Sequence, residues 1–185
     1  EPNPHSPAFN HNGDKGLFII FKSLKEFDLV YQKVSSLHDI KKIVSSINPR
    51  IRIAHLIIMA HGQPKEIVLS NLNTLNYSNI DELVTTIKPK LSPNCSILLH
   101  SCLVGKGGIN NDNFARTLAL KLPYHKVFGS DEPISRNELN VDIARNDFNR
   151  RVLFMSYSIE TESPKKLYPI YTFRYNSDGH FYYSL

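Results

Sequence analysis

The sequence predicts an α/β fold, with a mostly parallel sheet, helices on both faces and a β-rich C-terminal extension. Three observations support this class. Short apolar runs recur along the chain, segments with apolar residues at helical spacing separate them, and strict alternation begins near residue 139. Parallel strands buried on both faces are continuous apolar runs, whereas half-exposed strands alternate. The alternation of strands and helices is therefore typical of a parallel sheet.

Proline and cap residues set the predicted element boundaries. Helices are expected to end before Pro49, Pro89 and Pro123, and Asn79 with Glu82 forms a capping pair. In chain order we predict a strand at 17–21, one or two helices over 27–47, a strand at 54–60, a hairpin segment at 66–70, a helix over 80–87, a strand at 96–100, a Gly-rich loop at 103–110, a helix over 114–122, a strand at 126–129, and edge strands at 139–143, 152–157, 167–175 and 180–183.

Length and composition fit one globular domain. The chain has 185 residues, of which 41% are apolar and 21% charged, enough for a sizeable core. Residues 1–16 hold three prolines and few apolar residues, so we predict an extended lead-in followed by a single domain over 17–185. No run approaches ~18 uncharged apolar residues, which argues against a membrane span.

The charge balance does not favour nucleic acid as a partner. Lysine plus arginine exceed aspartate plus glutamate by 22 − 17 = 5. The basic residues are scattered as short pairs rather than gathered in one block, a pattern too weak for a nucleic-acid surface. The chain opens at Glu1 without methionine or an apolar signal segment, so we expect a processed product or a piece of a longer protein. Secretion into a host cell and the cytoplasm both remain open.

The two cysteines are too few for a disulfide scaffold. Cys95 and Cys102 are seven residues apart across a predicted strand, an arrangement that disfavours a bridge between them. Cys95 precedes that strand and has no catalytic context, whereas Cys102 directly follows it. Only Cys102 is therefore a candidate for chemistry.

Two reactive residue types follow neighbouring predicted strands. His61-Gly62 comes after the strand at 54–60, and Cys102 after the strand at 96–100. Loops at the carboxyl ends of parallel strands meet at one sheet edge, and a thiolate nucleophile needs an imidazole to exchange its proton. Taken singly, each residue is more typical of a buried or hydrogen-bonded structural side chain. Their joint placement favours a Cys/His dyad.

The same motifs resemble a known group of enzymes. An apolar strand followed by His-Gly (Leu56–Gly62), a turn and strand (Pro64–Leu69), a helix, and an apolar strand followed by Ser-Cys-x-x-Gly (Ile97–Gly105) are similar to caspase-like cysteine peptidases. That clan includes caspases, legumain, gingipain, clostripain, separase and the self-processing protease domains of bacterial toxins. The resemblance spans residues 51–135, about half the chain, and the order of His and Cys agrees.

The resemblance implies a role for each matching residue. Cys102 would be the nucleophile, His61 the general acid/base, and the backbone N–H groups of Gly62 and Cys102 the oxyanion donors. Glycine at 62 also allows the backbone to approach a substrate closely. Ser101 stands where many members have Ala or Gly, and we assign it to substrate contact.

Specificity is predicted from the next strand. The strand at 126–129 is followed by Asp131 and Glu132, which brings two carboxylates to the edge that holds the dyad. Relatives that cut after basic residues place an acid at the corresponding position, so we expect Lys or Arg before the cleaved bond. Asp131 is the favoured contact because Glu132 should point the other way along an extended chain. A turn or helix cap is the alternative interpretation.

Other ligands are less well supported. Gly105-Lys106-Gly107 lacks the spacing of a phosphate loop. His61, His100 and Cys102 are a weak zinc set without a paired-ligand motif, so we expect no cofactor or metal. The basic tail residues Arg150, Arg151, Lys165, Lys166 and Arg174 could hold a polyanion activator, as related toxin domains do with inositol hexakisphosphate, but a solvated β-surface is the favoured interpretation.

These observations predict a cysteine endopeptidase that acts on protein or peptide substrates, of the kind found as a bacterial effector or toxin-type virulence domain. The rival prediction is a catalytically inactive caspase-fold module that binds a partner protein in its groove.

Overall fold

The computed structural model describes residues 30, 32–133, 140–144, 151–155, 170–175 and 181–184. The predicted lead-in, the predicted strand at 17–21 and the basic residues Arg150, Lys165 and Lys166 lie outside these ranges. The described helices are α1 (Leu37–Ser46), α2 (Ile80–Ile87) and α3 (Phe114–Lys121), with 3-10 turns at Lys88–Lys90 and Gly108–Asn110. The described strands are β1 (Ile53–Met59), β2 (His61–Gln63), β3 (Glu66–Ser70), β4 (Asn73–Asn76), β5 (Leu91–His100), β6 (Lys126–Ser130), β7 (Asn140–Ala144), β8 (Arg151–Met155), β9 (Ile170–Tyr175) and β10 (Phe181–Ser184).

The main sheet has the strand order β1-β5-β6-β9-β10 in the described part of the chain. β1, β5 and β6 are parallel, whereas β9 runs antiparallel to β6 and β10 antiparallel to β9. The predicted α/β class is therefore confirmed, and β9 and β10 extend one edge of the sheet as predicted, whereas the strands predicted at 139–143 and 152–157 do not join it. β7 and β8 form a separate antiparallel pair.

The described helices all pack on one face of this sheet. Ile58 and Leu99 are register partners, as are Ile97 and Val127, so these four side chains share a face. They belong to one buried cluster with the apolar residues of α1, α2 and α3. Helices were predicted on both faces, and within the described ranges only one face has them. The physical reason is the strand order: β1, β5 and β6 lie side by side in chain order, so the chain moves across the sheet in one direction. Right-handed crossovers that move in one direction place their helices on the same face.

α1 lies within the region predicted to hold one or two helices, whereas the cap predicted for α2 is absent. α1 begins at residue 37, where the Ser36 hydroxyl accepts the Asp39 N–H at 3.2 Å, and residues 32–34 before it are not helical. Asn79 precedes α2 but makes no side-chain cap. Its amide oxygen instead accepts the Asn76 N–H at 2.9 Å, and its amide nitrogen donates to the Thr74 carbonyl at 2.7 Å. Asn79 therefore fastens the end of β4 and not the first turn of α2.

The predicted hairpin is a three-stranded antiparallel sheet, β2-β3-β4. Its first strand begins at His61, which pairs with Val68. Ile67 and Leu75 of this sheet are fully buried in the core cluster. The turn after β2 is tied to α3, because the Phe114 N–H donates to the Pro64 carbonyl at 2.8 Å. The small sheet thereby presents His61 at a defined place beside the main sheet.

Candidate active site

The His-Gly and Ser-Cys motifs are in contact. β1 and β5 are parallel neighbours, and Met59 is the register partner of His100, so the two strands end side by side. A Cβ atom built on Gly62 would lie 2.6 Å from the Cys102 carbonyl oxygen and 2.7 Å from the Ser101 Cβ. Those distances are too short for any side chain. The backbone at Gly62 therefore lies directly against the turn that holds Cys102.

This contact gives glycine at position 62 a steric reason within the chain itself. Glycine at this position was expected to let the backbone approach a substrate. The close neighbour in the structure is the Ser101–Val104 turn, and Val104 Cγ1 would also lie 2.9 Å from a Cβ at this position. Packing between the two motifs depends on the missing side chain.

The two dyad residues are accessible from solvent to different degrees. His61 is exposed, and Cys102 is half-buried. Both follow strands that end at the same sheet edge, so a substrate can reach this edge without displacing the core.

The residue after Cys102 has an uncommon backbone conformation. Leu103 has φ of 60°, in the left-handed region that residues with a Cβ rarely occupy. Such conformations are held by surrounding structure and concentrate at functional sites. The chain therefore turns sharply as it leaves Cys102, and the Leu103 N–H is directed to the Glu132 carbonyl at 3.3 Å.

The segment after β6 runs beside this turn. The Gly105 N–H donates to the Ser130 carbonyl at 2.8 Å, and the Gly107 N–H donates to the Asp131 carboxylate at 2.5 Å. Asp131 is half-buried and Glu132 is exposed. The two predicted specificity residues are thus neighbours of the Cys102 turn, with different surroundings.

Two polar side chains at the end of β5 are buried. His100 is 6% exposed and Ser101 1% exposed, and neither His100 Nε2 nor Ser101 Oγ has a hydrogen-bond partner. Burial lowers the pKa of the His100 imidazole to about 4. Ser101 was assigned to substrate contact, and its side chain is packed inside the protein. Among the described residues, no group of three or more His, Cys, Asp or Glu is placed to hold a metal ion, so the alternative zinc set is not formed.

Cys95 lies inside a strand, which corrects the sequence interpretation. The predicted strand began at residue 96, whereas β5 begins at Leu91 and includes Pro93. Cys95 is fully buried in the core cluster, and this burial raises the pKa of its thiol to about 12. Neither Cys95 nor Cys102 forms a disulfide.

Sequence reasoning missed the residue that shapes the Gly-rich loop. Asn113 is fully buried, and its amide nitrogen donates to the Gly108 carbonyl at 2.7 Å. Its amide oxygen accepts the Arg116 N–H at 2.9 Å, which caps α3. An asparagine directly before a helical apolar pattern was the available indication. The carbonyl contacts within the loop have no sequence pattern.

Comparisons with known proteins identify a family. Residues 27–140 match the family described as a domain of unknown function, DUF8616, and the chain belongs to that family. The match includes both motifs and the segment after β6. No curated protein and no solved structure gives a match. In the described part of the chain, no helix combines the length and apolar character needed to cross a membrane.

Proposed function

We propose that this protein is a cysteine endopeptidase in which Cys102 is the nucleophile and His61 the general acid/base. The observation that supports this proposal most is the contact between the two motifs. Gly62 packs against the carbonyl of Cys102, and the histidine and cysteine motifs therefore meet at the carboxyl ends of two neighbouring strands. The left-handed turn at Leu103 adds a second, independent feature.

The chemistry proceeds in two steps. His61 takes the proton of Cys102, and the thiolate attacks the scissile carbonyl carbon. The tetrahedral oxyanion is stabilised by the backbone N–H groups of Gly62 and Cys102. When it collapses, the peptide C–N bond breaks, the amine leaves with the proton from His61, and a thioester remains. Water, deprotonated by His61, then hydrolyses the thioester and restores the thiol.

The fold supports the same assignment at a coarser level. Parallel strands β1 and β5 end side by side, with the histidine motif after the first and the cysteine motif after the second. This order and placement agree with the caspase-like arrangement that the motifs resemble. The proposed substrates are proteins or peptides, and a carboxylate after β6 favours those with a basic residue before the cleaved bond.

Hydrolysis of an internally quenched peptide library tests the proposal. The native protein should cleave library members, and both Cys102→Ala and His61→Ala should reduce turnover by several orders of magnitude. The double variant should be no slower than Cys102→Ala, because nucleophile and base act as a unit. Cys95→Ala is the matched control: it removes the other thiol and should retain turnover.

Unchanged turnover in Cys102→Ala would exclude the proposed nucleophile. A native protein that folds but cleaves no peptide would instead favour the inactive, partner-binding alternative. Thermal unfolding of every variant should be measured alongside, so that loss of activity is separated from loss of fold.

A further inference from the structure

Three alternate backbone amides of the loop after Cys102 donate to one segment. The N–H groups of Leu103 and Gly105 donate to the carbonyls of Glu132 and Ser130, and the third, from Gly107, donates to the Asp131 carboxylate. The 130–132 segment therefore holds this loop along its length. Two of these contacts are backbone to backbone and do not depend on residue type. The third depends on a side chain that can accept a hydrogen bond.

The Gly107 end of this contact requires glycine. Its φ is 77°, and a Cβ built there would lie 1.8 Å from the side-chain amide nitrogen of Asn111. The amide direction at this position thus depends on a conformation that other residues rarely adopt. The Asp131 carboxylate oxygen lies 2.5 Å from the Gly107 backbone nitrogen and is a charge-assisted acceptor. Glycine at 107 and aspartate at 131 consequently act as a pair.

We propose that Asp131 is a positioning residue that holds the turn following Cys102, and that it is not the carboxylate that selects basic substrates. The carboxylate is half-buried and engaged with the loop. Through the loop it restrains Leu103, the residue that directly follows Cys102. The catalytic part of this inference rests on the proposed function, whereas the structural part does not. Glu132, exposed and hydrogen-bonded through its backbone to Leu103, remains as the carboxylate for substrate recognition.

Two substitutions separate positioning from recognition. Asp131→Asn keeps an oxygen that accepts the Gly107 N–H but removes the charge, whereas Asp131→Ala removes both. Hydrolysis is measured on two peptides that differ only in arginine or its neutral analogue citrulline before the scissile bond. We expect Asp131→Ala to lower kcat about tenfold or more on both peptides. Asp131→Asn should retain most of the native rate, with the native arginine-to-citrulline ratio.

Amide hydrogen exchange at Gly107 gives a measurement that does not require activity. Asp131→Ala should speed this exchange by about tenfold to a hundredfold, as expected for the loss of a hydrogen bond to a charged group. Asp131→Asn should keep exchange within a few-fold of native. The matched control is Asp81→Ala. Asp81 is an exposed aspartate of α2 that forms an ion pair with Lys121 at 2.6 Å, and its removal should leave Gly107 exchange unchanged.

The outcomes distinguish this inference from the proposed function. If the native protein hydrolyses no peptide, the proposed function fails and the exchange result alone decides whether Asp131 holds the loop. Unchanged Gly107 exchange in Asp131→Ala would overturn the inference, whatever the activity. An arginine-specific loss in Asp131→Asn, with citrulline hydrolysis unaffected, would also overturn it and would restore Asp131 as the recognition carboxylate.

Discussion

The two cysteines of this chain lie close together in sequence but have different surroundings. Cys95 lies inside β5 and is fully buried, with its thiol pKa raised to about 12. Cys102 follows the carboxyl end of the same strand, is half-buried, and precedes a residue in the left-handed region. Seven positions thus separate a thiol that packs as an apolar side chain from one at the edge where loops meet.

The difference shows that position in the sheet, and not residue type, decides whether a thiol is packed into the core or lies nearer the surface at a strand end. At the buried position the charged thiolate is disfavoured, because it would lose hydration without gaining a partner charge. At the strand end the backbone is shaped by neighbours on both sides: the His61-Gly62 strand and the 130–132 segment. A substitution that disrupts either contact should change the backbone conformation at Cys102 and leave Cys95 unchanged.

Gly62→Ala should give the largest effect on the strand end. The added Cβ would lie 2.6 Å from the Cys102 carbonyl oxygen, which is backbone and cannot rotate away. Separation of the two motifs by even about 1 Å can lower turnover roughly a hundredfold, and overpacking should lower the unfolding free energy by about 1 to 3 kcal/mol. Peptide hydrolysis and urea unfolding measure the two effects. Native values for both would show that the motifs do not need this contact.

His100 should make the fold less stable in mild acid. The pKa of its imidazole is about 4 in the folded protein, below the ordinary histidine value of 6.5, so the unfolded chain binds the proton first as the pH falls. The resulting loss of unfolding free energy is absent above about pH 6.5 and grows toward pH 4, where it amounts to about 3 kcal/mol. The pKa values of His55 and His125 are also lowered by burial and act in the same direction.

Urea unfolding of native protein and His100→Leu at pH 7 and pH 4.5 checks this prediction. The apolar variant should lose less stability between the two pH values, since it has no imidazole to protonate on unfolding. Equal losses in both proteins would mean that His100 does not contribute to the pH dependence.

The smallest effect on activity is expected at Cys95. Replacement by serine puts a hydroxyl into the core and should cost about 1 to 3 kcal/mol of unfolding free energy. Replacement by alanine keeps the site apolar and leaves a small cavity, so it should cost less than serine. Neither change should alter the reactivity of Cys102. A serine variant as stable as alanine would show that the site is not as apolar as its burial indicates.

The sequence predicted the strands and the motif placement well, because these depend on local patterns. Apolar runs identified β1, β5 and β6, and the residue types after them identified the edge that holds the candidate site. Cys95 was misplaced, because the predicted strand began only at residue 96. A proline at one position did not end β5, which extends to Leu91.

Contacts between distant segments were beyond sequence reasoning. The carboxylate of Asp131 was expected to face a substrate, and it accepts a hydrogen bond from Gly107, 24 positions earlier in the chain. Likewise, Asn79 was expected to cap α2 and instead fastens β4. Both side chains have several possible acceptors or donors within reach, and only the packing of the folded chain selects among them.

The most direct test of the account is the site of reaction with a peptide-like thiol electrophile. The native protein is incubated with a peptidyl acyloxymethyl ketone bearing arginine next to the reactive group, and the adduct is located by mass spectrometry of proteolytic fragments. We predict a single adduct on Cys102, none on Cys95, and loss of labelling in His61→Ala at unchanged thermal stability. Labelling of Cys95 in the folded protein, or labelling of Cys102 at the same rate without His61, would contradict it.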